Sequence, residues 1–188
     1  LNKTKEKLPT QLIEYLLTVD REDAVETLLI HADRSSSELI GNQFQLSYSS
    51  QILLAFELYQ KNLYEPQESD YNLFVQTMYE SMYNPKQLSA SLFFIKFFGI
   101  ESNSFPFLLQ AIKNNGDKSE IVQICSQFIY GFSPSSDIEE VSLELNAISI
   151  VSNAIELNRK KEETIENLMT LMHFFSYFQS LDKLFLQS

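Results

Sequence analysis

Apolar residues recur every three or four positions along most of the chain, which is the spacing of helices that bury one face. Short breaks separate these segments, and they carry typical helix-starting and helix-ending residues, such as Asn84-Pro85 and Gly99. The pattern predicts about ten helices and no strand. The predicted helices begin near Pro9, Asp20, Glu38, Ser69, Asn84, Ser104, Asp117, Ser135, Glu162 and Ser180.

The connectors between these segments are short, and short connectors make successive helices antiparallel neighbours. Several segments carry aromatic residues on both faces, as a helix needs when it contacts the helix before it and the helix after it. We therefore expect an all-α protein, arranged as a right-handed α-solenoid of degenerate tetratricopeptide-like helical hairpins. We expect residues 1–188 to form a single helical-repeat domain.

One predicted helix is apolar around most of its circumference yet carries a line of polar side chains. It includes "LELNAISIVSNAIELN", residues 143–158, and the line consists of Ser142, Asn146, Ser149, Asn153 and Glu156. Their spacings of 4, 3, 4 and 3 residues place them on one face of a continuous helix. Burying an amide without a partner would cost about 1–3 kcal/mol. These side chains are therefore expected to meet water, neighbouring backbone or a ligand.

Two interpretations of this line remain open. The first is a solvent-facing seam or an Asn pair that caps a neighbouring helix end, and the second is the floor of a groove that binds an extended peptide. Asn both donates and accepts hydrogen bonds, which suits the main chain of a ligand. Neighbouring positions on a helix face are about 5–6 Å apart, and alternate residues of an extended chain are about 6.6 Å apart. The peptide interpretation assigns contacts to Asn146, Ser149 and Asn153.

Lys96 interrupts the aromatic segment "LFFIKFFG", and it also allows two interpretations. Its alkyl stem can cover aromatic rings while the amine reaches water. Alternatively, its ammonium group binds the carboxylate of a ligand, and we include Lys96 as a candidate peptide-binding residue on that basis.

Charge and composition narrow the classes of partner. The formal net charge is −11, and none of the stretches 1–50, 51–100, 101–150 and 151–188 is net basic. Nucleic acids and anionic membrane surfaces both require a positive surface, so we expect neither as a partner. The longest apolar run is too short to span a bilayer. The N-terminal residues lack the apolar core of a signal peptide. The single Cys fits a reducing compartment. These features predict a cytoplasmic protein.

The residue patterns of common catalytic sites are missing from the sequence. It has 2 His and 1 Cys, and it contains no HExxH, CxxC or GxSxG motif and no Gly-rich phosphate-binding loop. We therefore predict that the chain is not an enzyme and that it uses no metal and no cofactor. A closed pocket holding two carboxylates with raised pKa values would reverse this prediction.

The order and spacing of four segments resemble a known family. They are "YSSQILLAFELYQKN", "SDYNLFVQTMYESMYNPKQLSASLFFIKFFG", "LNAISIVSNAIEL" and "IENLMTLMHFFSYF". Together they resemble the C-terminal helical-repeat domain of Rgg/MutR-type transcriptional regulators, which are bacterial receptors for short peptide pheromones. Members of that family usually carry a Trp between the paired helices, where this chain has "MYNPKQLSAS".

The resemblance implies a peptide-sensing regulatory domain of a transcriptional regulator, working in quorum sensing as a homodimer. It also implies a DNA-binding domain before residue 1, so that the chain itself would not contact DNA. The alternative is a HEAT-like or tetratricopeptide-like protein–protein interaction scaffold with no small ligand. That alternative predicts an exposed ridge formed by Tyr71, Met78, Tyr79 and Met82.

Overall fold

The computed structural model describes residues 48–99 and 104–178, and within these ranges the protein is all-α. The described residues form eight α-helices and one short 3₁₀ helix, Glu68–Asp70, and they contain no strand. The α-helices are α1 (Tyr48–Gln60), α2 (Tyr71–Glu80), α3 (Pro85–Phe98), α4 (Ser104–Asn114), α5 (Ser119–Tyr130), α6 (Ser136–Glu144), α7 (Ala147–Asn158) and α8 (Glu162–Phe175). The helices predicted before residue 34 and after Ser180 lie outside the described residues.

Local sequence explains several of the helix ends. Asn84 precedes α3 and accepts a hydrogen bond from the Gln87 N–H through Oδ1 at 3.2 Å, and Pro85 opens the helix. The helix stops before Gly99, whose φ of 103° is open only to glycine without strain. Ser135 caps α6 by accepting a hydrogen bond from the Ile138 N–H. These three predicted boundaries are confirmed.

The described residues fall into two compact units. The first contains α1, the 3₁₀ helix, α2 and the Ala90–Phe98 part of α3, and its core is aromatic. Phe74 and Phe94 stack with their ring centroids 4.5 Å apart, and Phe56 and Tyr59 contact Phe94 edge-on. Edge-to-face and offset-stacked rings of this kind add to the free energy gained by burying their area.

The second unit contains Met82–Ser89 and the described residues from Gly99 onward. In it, helices α4, α5, α8 and α7 contact one another in that cyclic order, and α6 packs on α4 and α7. The fully buried side chains of this unit include Phe105, Leu108, Leu109, Ile112, Val122, Cys125, Val151, Leu168, Leu171 and Phe175. The expectation of a single domain over residues 1–188 stays a prediction.

The predicted continuous helix from Ser135 to Asn158 is wrong at one point. The chain forms two helices there, α6 and α7, and the break lies at Leu145 and Asn146. Asn146 has φ 55° and ψ 54°, the left-handed conformation, which ends one helix and redirects the chain into the next. The break separates Ser142, on α6, from Ser149, Asn153 and Glu156, on α7, so the predicted polar line does not follow one helix.

Candidate functional site

Asn146 is the residue on which the arrangement of the site depends. Its N–H donates to the Leu143 carbonyl at 3.1 Å, and its own carbonyl accepts from the Ile150 N–H at 3.2 Å, so it links the end of α6 to the start of α7. Asn tolerates left-handed backbone better than other residues with a Cβ, because its short polar side chain can hydrogen-bond locally. Its side chain does not cap α7, so the amide group stays available at the helix start.

Ser142 does not belong to the polar face. It is fully buried in α6, where its hydroxyl donates to the Ile138 carbonyl at 2.6 Å. This bond satisfies the hydroxyl within its own helix, and the predicted line of five residues is wrong at this position. The remaining members, Asn146, Ser149, Asn153 and Glu156, are all exposed.

We call Asn146, Ser149 and Asn153 the amide face of α7. Their positions, 3 and 4 residues apart, follow one side of the helix from its first turn. None of the three side chains has a hydrogen-bond partner among the described residues. Together they offer two amide groups and one hydroxyl that can both donate and accept hydrogen bonds.

The opposite side of α7 fixes the direction in which the amide face points. That side is buried and apolar, and it consists of Ala147, Ile148, Val151 and Ala154. These residues pack α7 against α4 and α8. Since rotating the helix would expose them, the amide face is held outward by the core.

The C-terminal end of α7 is tied to the turn between α4 and α5. Asn158 is buried, and its Nδ2 donates to the carbonyls of Gly116 and of Ala154. Lys161 Nζ donates to the Asp117 carbonyl at 3.3 Å. The C-terminal end of α7, the helix that carries the amide face, is therefore anchored by side-chain hydrogen bonds to the backbone of the α4–α5 turn.

Leu157 lies beside the amide face and is 53% exposed. Its Cδ1 also approaches Gly116, where an added Cβ would lie only 3.0 Å from it. The face therefore ends at an exposed apolar side chain, which the sequence interpretation did not single out. The signal was present, because Leu157 follows Asn153 by four residues on the same side of the helix.

Lys96 lies in the other unit, near the C-terminal end of α3. It is exposed, and no ion pair involves it among the described residues. The structure therefore brings Asn146, Ser149 and Asn153 together on one helix and places Lys96 on a different helix. The binding of a peptide carboxylate by Lys96 stays a prediction.

The ridge predicted by the scaffold interpretation is wrong in part. Tyr79 is 47% exposed, but Met78 is 1% exposed and belongs to the core of the first unit. Tyr71 and Met82 are partly buried. Phe93 and Phe97 on α3 are also exposed beside this aromatic core, at 40% and 52%.

The described residues contain no reactive thiol, no metal-binding cluster and no helix that could span a membrane. Cys125 is fully buried, and burial raises the pKa of its thiol to about 12, which keeps it protonated at neutral pH. Among the described residues, no group of three or more His, Cys, Asp or Glu side chains is arranged to hold a metal ion. Within the same ranges, no helix has the length and apolar character needed to cross a membrane.

Comparisons with known proteins give no relative: no protein-family model, curated protein or solved structure matches the chain.

Proposed function

We propose that the chain is the peptide-binding regulatory domain of a transcriptional regulator, which senses a short signalling peptide and controls a dimer. The amide face of α7 would contact the main chain of the peptide. The observation that carries the proposal is the outward, unpartnered presentation of Asn146, Ser149 and Asn153 on a helix whose other side is packed.

The chemistry of the face supports a peptide more than simple solvation. Asn146, Ser149 and Asn153 are uncharged, and the chain carries 25 acidic and 14 basic residues elsewhere with which to keep a surface solvated. Amides that both donate and accept match peptide N–H and C=O groups, which alternate along an extended strand. Leu157, exposed beside Asn153, would contact an apolar side chain of the ligand.

The proposed architecture is a right-handed α-solenoid of tetratricopeptide-like hairpins, with about ten helices once those predicted from sequence outside the described residues are included. The pairs α4–α5 and α7–α8 support it, because α4 packs on α7 and α5 packs on α8, as two stacked hairpins do. In such an arc a ligand bound to one helix changes the relation between repeats, and this change would be transmitted to a dimer partner.

The proposal can be tested by thermal denaturation in the presence of a library of short apolar peptides. A ligand that binds only the folded state at a concentration 100 times its Kd stabilises by about 2.7 kcal/mol, so a binder raises the midpoint measurably. The peptide with the largest shift would then be titrated by calorimetry against wild type, Asn146→Gly and Asn153→Ala. Glycine is chosen at position 146 because it removes the amide and still adopts positive φ.

We expect each substitution to weaken the peptide by about fivefold or more, as loss of about 1 kcal/mol of hydrogen bonding requires. The matched control is Asn72→Ala, which removes an exposed amide from α2. If no peptide shifts the midpoint, or if Asn146→Gly and Asn153→Ala both bind it with wild-type affinity, the proposed function is wrong.

A protein–protein interaction scaffold is the second candidate function. The observation that favours it is the exposure of Phe93 and Phe97 on α3, because large apolar side chains grouped at a surface often mark a contact with another protein.

A further inference from the structure

The exposed side of α3 in the first unit combines aromatic rings with a single cation. Phe93 and Phe97 are 40% and 52% exposed, and Lys96 lies between them on the same side of the helix. Tyr59 of α1 packs edge-on to both rings, at 5.2 Å from Phe93 and 6.3 Å from Phe97. We call these four residues the aromatic–lysine surface.

The rings are held in place from below. Phe93 contacts Phe56 at 5.3 Å and the buried Phe94 at 5.4 Å, in edge-to-face geometry. Their positions therefore depend on the aromatic core of the unit. A partner would meet a preformed apolar surface and would not have to order these side chains, which lowers the entropic cost of binding.

The charge of this surface is opposite to that of the chain as a whole. The protein has a formal net charge of −11, yet Lys96 is positively charged and the other three residues of this surface carry no charge. Lys96 has no ion pair among the described residues, and on the neighbouring helix α1 the carboxylate of Glu57 pairs with Lys61 at 3.3 Å. Among the described residues no carboxylate pairs with the ammonium group of Lys96, so this group can pair with the carboxylate of a ligand.

We propose that the aromatic–lysine surface binds an acidic, amphipathic segment of a partner protein. Apolar side chains of the segment would cover Phe93 and Phe97, and an Asp or Glu would pair with Lys96. A lipid bilayer is the alternative occupant, and the vesicle sedimentation described below distinguishes it. The surface uses none of the amide-face residues, so this proposal does not depend on the proposed function.

The test is selection of randomised displayed peptides on the full chain, followed by affinity measurement for the enriched sequences. We expect wild type to enrich peptides that combine Asp or Glu with Leu, Ile or Phe. Phe97→Ser and Lys96→Glu should each weaken such peptides about tenfold or more, because each removes a contact at the centre of the surface. Selection on Lys96→Glu should instead enrich basic apolar peptides.

Two controls match these variants closely. Tyr130→Ser alters an aromatic residue that is 51% exposed on α5, and Lys113→Glu reverses a lysine that, like Lys96, lies in the last turn of its helix. Both should keep wild-type affinity for the enriched peptides. Circular dichroism melts of all four variants would establish that each one is folded.

Three results would overturn the proposal. The first is that every enriched peptide binds Lys96→Glu and Phe97→Ser as tightly as wild type, or that the peptides weakened by Phe97→Ser carry no acidic residue. The second is sedimentation of the protein with phosphatidylcholine or phosphatidylglycerol vesicles that is lost in Phe97→Ser, which would assign the surface to lipid. The third is self-association that is lost in Phe97→Ser without any peptide binding, which would assign the surface to a second copy of the chain.

Discussion

The anchor at the end of α7 gives a stability prediction that can be worked out from its bonds. Asn158 is 1% exposed, and its Nδ2 donates to the Gly116 carbonyl and, at 2.8 Å, to the Ala154 carbonyl. Asn158→Ala removes both bonds, each with a net contribution of about 1 kcal/mol, and leaves the buried Gly116 carbonyl without this donor. A small cavity adds to the loss.

One consequence of Asn158→Ala stabilises the folded protein and partly offsets this loss. The Oδ1 atom of Asn158 is buried and has no hydrogen-bond partner, so alanine removes an unsatisfied acceptor whose burial costs about 1 kcal/mol or more. The net expectation is a loss of about 2 kcal/mol in the free energy of unfolding, which for a chain of this length lowers the melting midpoint by roughly 4–8 °C. Chemical and thermal denaturation followed by circular dichroism would measure it.

Asn158→Asp separates hydrogen bonding from side-chain size. The carboxylate keeps the shape of the amide but turns an acceptor toward both carbonyls and buries a charge, so it should destabilise more than alanine does. The matched control is Asn167→Ala, since Asn167 makes the same bond to the carbonyl four residues earlier, Glu163, at 2.8 Å but at an exposed position. The control should change stability by no more than about 0.5 kcal/mol.

The reasoning would be refuted if Asn158→Ala and Asn167→Ala had equal effects. It would also be refuted if Asn158→Asp were as stable as wild type. Either result would mean that the bond to Gly116 does not hold α7 to the α4–α5 turn.

Three further predictions concern neighbouring features. Asn146→Ala should destabilise by about 1 kcal/mol because alanine is strained at φ 55°, whereas Asn146→Gly should keep the wild-type midpoint in thermal melts; equal midpoints would contradict the left-handed assignment. Gly116→Ala would place a Cβ 3.0 Å from Leu157 Cδ1, so the leucine side chain must move to admit it. A double-mutant cycle with Leu157→Ala should therefore give a coupling of at least about 0.5 kcal/mol; additive effects would contradict the contact. Burial raises the pKa of the Cys125 thiol from 9.0 to about 12, so the stability that the protein gains by burying the neutral thiol is complete below pH 9 and is lost as the pH rises toward 12. At pH 8, iodoacetamide should label the thiol in urea and leave it unlabelled in the folded protein. Labelling at equal rates in the two conditions would show that the thiol is accessible.

Several helix boundaries were predictable because they depend on the residues at the helix ends alone. Asn84-Pro85 starts a helix and Gly99 ends it for reasons of hydrogen bonding and φ that do not depend on the rest of the fold. Ser135 behaves in the same way. At these positions the sequence-based boundaries and the structure coincide.

The break at Asn146 was missed because no Gly or Pro marks it. The apolar period continues across the break, since Leu145 and Ala147 both fit a continuous helix. An Asn between two apolar residues was the available signal, because Asn is the most frequent alternative to Gly in the left-handed conformation that ends helices. Periodicity alone could not distinguish one continuous helix from two successive helices.

The positions of Ser142 and Met78 depend on tertiary packing, and the sequence pattern could not resolve them. Ser142 can be buried because its hydroxyl bonds to the Ile138 carbonyl within the same helix, which leaves no unsatisfied group. Met78 fits either a surface ridge or a core, and its burial reflects the residues packed against it. Which exposed face binds a partner is likewise decided by the partner, which the sequence does not contain.

The central claim is that the amide face of α7 binds the main chain of a peptide. The most direct measurement is an NMR titration of the ¹⁵N-labelled chain with the peptide that most raises the melting midpoint, following the side-chain amide signals of Asn. The account predicts that the signals of Asn146 and Asn153 shift with a single saturating curve while that of Asn72 stays in place. Saturable binding that leaves the Asn146 and Asn153 signals unmoved would contradict it.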